Sequence, residues 1–216
     1  MPLPDANPLP PPLDRLFDGR GFSHDALAGT AENSAGTRIA FAPPALIRAL
    51  RQIVQTEKAG AWQDVVKPCG IATGKKIAAG LDAELARLGE PALADLPLET
   101  CLLYLEHHFA SHGWGLLKLD LSDAPEHGLV TGRLQHSYFV EVLKDVAEFV
   151  DPVLAGILQG FFEHVSGQEL GCIEIACARR GAPHCTFVIT APERFASIAP
   201  LLGRASAEAI IAKLKS

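Results

Sequence analysis

Glu174, Cys177 and Cys185 could act together: one carboxylate and two thiols fall within twelve positions of the run E-I-A-C-A-R-R-G-A-P-H-C. Gly181 and Pro183, between the two cysteines, are turn residues, so the chain should reverse there and bring both sulfurs to the neck of one loop. Thiolates joined by a carboxylate or imidazole suit a closed tetrahedral zinc site. A fourth donor is needed, and the sequence offers His184 beside Cys185, or Asp151 or Cys172 from outside the loop. The plainer alternative is a β-hairpin whose two thiols pack as small hydrophobes, because C-x7-C is far less specific than paired C-x-x-C. In a strand Cys172 and Glu174 would share a face and Cys177 would point away, so the strand must break before Cys177.

The elements that must position this set are a strand ending at Ala176 and its partner over residues 185–190. Ahead of them lies the most apolar helix of the chain, Val153 to Phe162, opened by Asp151-Pro152 and ended by Ser166-Gly167. Gly156 and Gly160 would let another backbone or a flat ligand approach it closely. Leu117, Leu119 and Leu121 alternate as a half-buried strand, paired as a hairpin with residues 129–134. Ser137 reads as the cap of a helix carrying Val140, Val142, Leu143, Val146 and Phe149.

Earlier in the chain, residues 1–40 read as a flexible tail rich in proline. A short strand is expected near Arg38 to Phe41. Pro43-Pro44 then open a helix with an apolar stripe of Leu46, Leu50, Ile53 and Val54. Residues 41–200 form the expected domain, and 201–216 a C-terminal helix carrying Ile210, Ile211 and Leu214. Gly70 and Gly74-Lys75 lack the G-x-x-x-x-G-K-[ST] spacing of a phosphate loop, so helix-on-helix packing explains these glycines more simply. His108 and His112, one turn apart near a helix end, could share a metal, but exposed imidazoles favouring the helix dipole are the simpler reading.

A net charge of −6 in 216 residues excludes the basic footprint of a nucleic-acid binder. No apolar run approaches the roughly 18 residues of a membrane span. Five cysteines in a chain whose start lacks a basic-then-apolar leader favour reduced thiols and a cytoplasmic location.

Taken in order, these landmarks resemble the 4-vinyl reductase domain family. The residues that carry the likeness are Gly70, Gly74 and Gly80; Gly113-Trp114-Gly115; His136-Ser137-Tyr138; the helix from Pro152 to Gly160; and Glu174-x-x-Cys177-x7-Cys185-Thr186-Phe187. The resemblance implies an α+β fold, an antiparallel sheet packed against helices around an apolar pocket, like that of transport-particle (TRAPP) subunits and haem nitric-oxide sensor domains. It also implies a homodimer. In the phenol-sensing members the matching Glu and two Cys hold zinc together with a further cysteine, whose place is taken here by Asp151. Asp151 also precedes Pro152 as a helix cap would, in which case His184 or a water completes the site. Those sensors carry a tryptophan where Leu134 stands, so their polar handle for a phenol hydroxyl is missing. At this length the chain looks more like the bacteriochlorophyll-associated branch of the family.

The expected function is binding of a hydrophobic small molecule, a tetrapyrrole intermediate or an aromatic compound, with a structural zinc. The expected pocket residues are Trp114, Leu134, His136, Tyr138, Phe139, Ile157, Phe161 and Phe162. Reduction of a tetrapyrrole vinyl group is the enzymatic alternative. It requires a hydride source, and no G-x-G-x-x-G follows a strand, so binding is preferred to chemistry. A protein-assembly scaffold is the third reading, and haem ligated by His107, His108 or His136 a variant of the first.

Overall fold

The computed structural model describes residues 22–33, 37–40, 42–58, 60–146 and 148–216. Its centre is a four-stranded antiparallel sheet made of β3 (Leu116–Asp120), β4 (Val130–Gln135), β5 (Gly171–Ala176) and β6 (Cys185–Thr190), in the order β3-β4-β6-β5. The expected hairpins are both present: Leu117 faces Leu134 across β3 and β4, and Glu174 faces Phe187 across β5 and β6. Every residue of β6 is buried, because both faces of this central strand are covered.

One face of the sheet offers Leu117, Leu134, Cys172, Cys185, Phe187 and Ile189 to the main core. The helices on that side are α2 (Ala61–Arg87), α3 (Leu98–Ser111) and α6 (Pro152–Ser166). The other face packs Ile175 and Val188 against Ile210 and Leu214 of α7 (Ala207–Lys215), whose start is capped by Ser206. The fold is therefore α+β, as expected, in three layers of helices, sheet and one helix.

The tightest joint lies between α2 and α6. A Cβ on Gly74 would stand 2.1 Å from the carbonyl oxygen of Ile157, and one on Gly160 would stand 2.1 Å from that of Ile71. Gly70 and Gly156 face Val153 and Lys67 in the same way, so two glycine pairs four residues apart interlock. This is the close backbone approach the spacing predicts. It also accounts for α2 continuing through Pro68. An interior proline costs about 3 kcal/mol, and the joint formed just beyond it holds the chain in register.

Three expectations are revised. Within the predicted tail, β1 (Phe22–Asp25) and β2 (Thr30–Asn33) form a hairpin extended by a bridge from Glu32 to Arg38; residues 1–21 and Phe41 lie outside the described residues. The helix expected to run on to Phe149 ends early: α5 is Tyr138–Val142, and the chain leaves it at Leu143 (φ −104°, ψ 48°) although Leu143, Lys144 and Glu148 are good helix formers, so local propensity does not set this end. Helix α1 (Pro44–Glu57) forms as expected but buries none of its residues. The short helix α4 (Ala124–His127) lies in the β3–β4 connection.

Candidate functional site

A corner is built where the end of β5, the start of β6 and the start of α6 meet. The register of β5 slips between Glu174 and Ala176, and the strand ends before Cys177, as the facing argument requires. The Cys177 carbonyl then accepts from the N–H groups of Arg180 (2.9 Å) and Ala182 (3.2 Å), folding residues 178–180 into a 3-10 turn. Gly181 closes the turn at φ 92°, a conformation that favours glycine. Cys185 begins β6 opposite Leu134.

This geometry brings one donor atom each from Glu174, Cys177 and Cys185 within 4.8 Å of one another, all three side chains being buried. The sulfurs are 3.9 Å apart, and the Ala178 N–H points at the Cys185 sulfur at 3.4 Å. Asp151, the residue just ahead of α6, is fully buried beside this set, outside the group of atoms that lie within 4.8 Å of one another. Its N–H donates to Glu174 Oε2 at 3.1 Å, and its Oδ1 accepts from the Ser137 hydroxyl at 2.6 Å. The cap reading of Asp151 fails, since its side chain makes no capping hydrogen bond.

Electrostatics at the corner are those of four acidic groups sharing one space. Burial raises Asp151 to about 6; burial and then the Asp151 charge raise Glu174 to about 10. The Cys185 hydrogen bond lowers Cys177 to about 5 and in return pushes Cys185 up. Without a cation, protons must keep part of the set neutral; a divalent cation would let all four ionise. Asp151 Oδ2 and Glu174 Oε1 are buried with no hydrogen-bond partner. Buried polar atoms are normally satisfied, and bare carboxylate oxygens beside two sulfurs are what a zinc ion would fill.

His184 is half-buried on the wall of two shallow grooves and does not join the donor set. Cys172 is fully buried, burial lifting its thiol to about 12, and it too stands apart from the cluster.

The eight expected pocket residues divide between two places. Leu134 and His136 border a groove of about 550 Å³, together with Ser137, Val140, Ala178 and His184. His136 there has φ 55°, the one non-glycine residue with positive φ among those described. The others point inward or serve as struts. Tyr138 donates its hydroxyl to the Ala42 carbonyl at 2.9 Å, Phe139 stands edge-on to Tyr138, and Ile157 is in the glycine joint. Phe162 stands edge-on to Phe161, which stacks on Tyr104 at 6.2 Å between ring centres.

Trp114, itself half-buried, belongs to a second set around the buried His108, which the sequence reading did not assemble. Tyr104, His108 and His112 line one side of α3 at successive turns. The two imidazoles stack at 3.8 Å, and Trp114 meets His108 edge-on at 5.5 Å. Phe22 of the β1–β2 hairpin lies edge-on to His112 at 5.2 Å, so the hairpin covers this end of the set. His108 is buried rather than exposed, and burial, followed by its two neighbouring histidines, lowers its pKa to about 3. It is a neutral imidazole in an aromatic box, with the Tyr104 hydroxyl 3.5 Å from Nδ1. The repeat of polar and aromatic residues every fourth position on an otherwise apolar helix was the available signal.

Sheet order, interlocked helices and the thiol–carboxylate corner together define a class, the α+β domain with an antiparallel sheet backed by helices on its core face. Residues 135–191 match the 4-vinyl reductase domain family, which bears out the resemblance drawn from the motifs. The matched segment includes Ser137, Asp151, Glu174, Cys177 and Cys185. No curated protein sequence matches the chain. Among solved structures, the phenol-responsive sensory domain of the transcription activator PoxR, determined with phenol, superposes with a TM-score of 0.65 at 17% identity, covering 94% of this chain and 95% of that one. A vinyl-4-reductase family protein from Methanocaldococcus jannaschii gives 0.46 at 18% identity, covering 70% and 83% respectively. Trafficking protein particle complex subunit 3 from Naegleria fowleri, covalently bound to palmitic acid, gives 0.49 at 13%, covering 66% and 88%. No helix among the described residues is long and apolar enough to cross a membrane.

Proposed function

We propose that this domain binds a small aromatic molecule bearing one hydrogen-bonding group, held in its interior beside His108. The observation that carries the reading is the neutral, buried imidazole. Among the described residues, the buried polar side chains outside the corner are three threonines and His108. His108 is ringed by Tyr104, Trp114 and His112, and its contact with the Tyr104 hydroxyl is long. Such a group offers a donor or acceptor inside an apolar site, the usual form of a small-molecule pocket. It supplies the polar handle that Leu134 cannot. PoxR's sensory domain, with the same fold, responds to phenol, which makes simple phenols the natural probes. Packed single rings suit a one-ring ligand better than a tetrapyrrole.

Replacing Trp62 with Phe leaves Trp114 as the sole tryptophan. Phenol should then quench its fluorescence saturably, and His108→Leu should weaken binding at least tenfold. Linear, unsaturable quenching in both proteins would contradict the proposal.

A structural zinc-class ion held by Glu174, Cys177 and Cys185 is the second part of this reading. It would tie the β5–β6 neck to the start of α6, the helix that carries Phe161. Self-association is the third part. Leu46, Leu50 and Ile53 of α1 are 47%, 45% and 60% exposed, and Val65 of α2 is 47% exposed, an apolar stripe suited to a second copy of the chain. Light scattering should give a dimer mass that halves in the Leu50→Glu, Ile53→Glu variant; an unchanged mass would exclude this face.

A further inference from the structure

The two sulfurs of the corner also stand in a covalent relation to each other. The pairing of β5 with β6 ends at Ala176 opposite Thr186, and the next rung sets Cys177 against Cys185. Residues directly opposite in an antiparallel pair have Cα atoms about 4.5–5.5 Å apart, inside the span of roughly 4.4–6.8 Å that a disulfide bridges. The sulfurs are 3.9 Å apart, with the Cys185 S–H donating to the Cys177 sulfur. Side-chain rotation, without backbone movement, can therefore join them. We propose that Cys177 and Cys185 are a redox pair that a small hydroperoxide converts to a disulfide, Cys177 attacking the peroxide and Cys185 resolving the product.

Access separates the two roles. Cys177 borders a groove of about 300 Å³ whose wall also carries Arg180, His184, Thr186 and Ser206, whereas Cys185 is fully buried and does not border it. Arg180 is fixed in that wall, its guanidinium 4.8 Å from the centre of the Phe149 ring and donating to the Gly203 carbonyl at 3.1 Å. A cation there favours the anion that forms when an O–O bond breaks. The Cys177 thiolate attacks one peroxide oxygen, the O–O bond breaks, and Cys177 becomes a sulfenic acid while the departing alkoxide takes a proton and leaves as an alcohol. Cys185 then attacks the Cys177 sulfur, the S–O bond breaks, and the oxygen leaves as water. Two thiols and one hydroperoxide thus give one disulfide, one alcohol and one water. Cys101 and Cys69 are placed differently, each giving its S–H to a carbonyl of its surroundings, Leu93 and Val65 respectively, at 3.4 Å. The redox pair goes beyond the metal reading and stands without it. Where an ion is held, forming the disulfide removes two of its donors and releases it.

The test uses the full chain, reduced, stripped of metal and treated with one equivalent of hydrogen peroxide at neutral pH. Remaining thiols are alkylated and the peptides mapped by mass spectrometry. The chain should lose two hydrogen masses, with the Cys177 and Cys185 peptides joined, Cys69, Cys101 and Cys172 alkylated, and the change reversed by dithiothreitol. In Cys185→Ser, a cyclic 1,3-diketone should trap Cys177 as its sulfenic acid at least tenfold faster than any other cysteine. In Cys177→Ser, Cys185 should remain a thiol. A wild-type map in which both corner thiols survive while Cys69 is oxidised would overturn the proposal, and this map decides the pairing even where a variant fails to fold. A sulfenic acid on Cys185 in Cys177→Ser would overturn the order of attack. A disulfide formed in a chain that takes up no zinc would sink the metal reading and leave the redox pair standing.

Discussion

At the corner, two carboxyls and two thiols are buried together, and their hydrogen-bond partners are a hydroxyl, backbone amides and each other, none of them a cation. Under the β1–β2 hairpin, by contrast, a buried and a half-buried imidazole stack among aromatic rings, and burial lowers the pKa of both. Both are polar groups taken out of water, yet they ask for opposite partners. Like-signed acids left half-satisfied stay partly protonated or take a positive ion. A neutral imidazole in an aromatic box suits an uncharged molecule with a hydroxyl or similar group. On the proposed reading, one fold would provide both a cation site and a neutral-ligand site.

The contrast can be broken most forcefully at the corner. Stripping a tightly bound metal, present at about a thousand times its dissociation constant, should remove about 4 kcal/mol. For a chain of this size that lowers the melting temperature by roughly 8–16 °C, measurable by calorimetry with and without chelator. The His108→Leu variant should retain the same chelator effect, because its lesion lies elsewhere.

Acid sharpens the other side. His108 titrates at about 3 in the folded protein against 6.5 when free, so the unfolded chain takes up the extra proton between those values. Its contribution is intact above pH 6.5 and is lost as pH falls, at up to about 1.4 kcal/mol per pH unit. Asp151 and Glu174 shift in the opposite direction, so wild type and His108→Leu must be compared at equal pH, where the corner cancels. Urea melts should show wild type losing about 2 kcal/mol relative to the variant between pH 6.5 and 5. Parallel curves would mean that His108 is not held neutral.

Ser137→Ala should cost about 1.5–3 kcal/mol, as a hydrogen bond to a buried carboxylate is lost. Its effect should be larger in metal-loaded protein than in stripped protein if Asp151 is a donor. Equal losses in both states would reduce the Ser137–Asp151 contact to an ordinary strut.

The legible and illegible parts divide along the same line. Glu174, Cys177 and Cys185 belong to one hairpin, so local spacing and turn residues suffice to bring them together. The paired glycines of α2 and α6 were readable because small residues at four-residue intervals have few other uses. Asp151 was ambiguous: before Pro152 it is a good cap by local rules, and only the tertiary contact with Ser137 shows where its carboxylate goes. His108 was misjudged because it packs against Trp114, Tyr104 and His112, and His112 in turn meets a hairpin drawn from a segment whose prolines read as tail. For α1, periodicity marked an apolar stripe but could not name what covers it.

The most direct test of the ligand reading is nitrogen-detected NMR of the eight histidine side chains during a phenol titration of metal-loaded protein. The account predicts a neutral His108 at pH 6 whose ring resonances, with those of His112, move saturably while His136 and His184 stay fixed. Movement of His136 and His184 alone would place the ligand in the outer groove and contradict it.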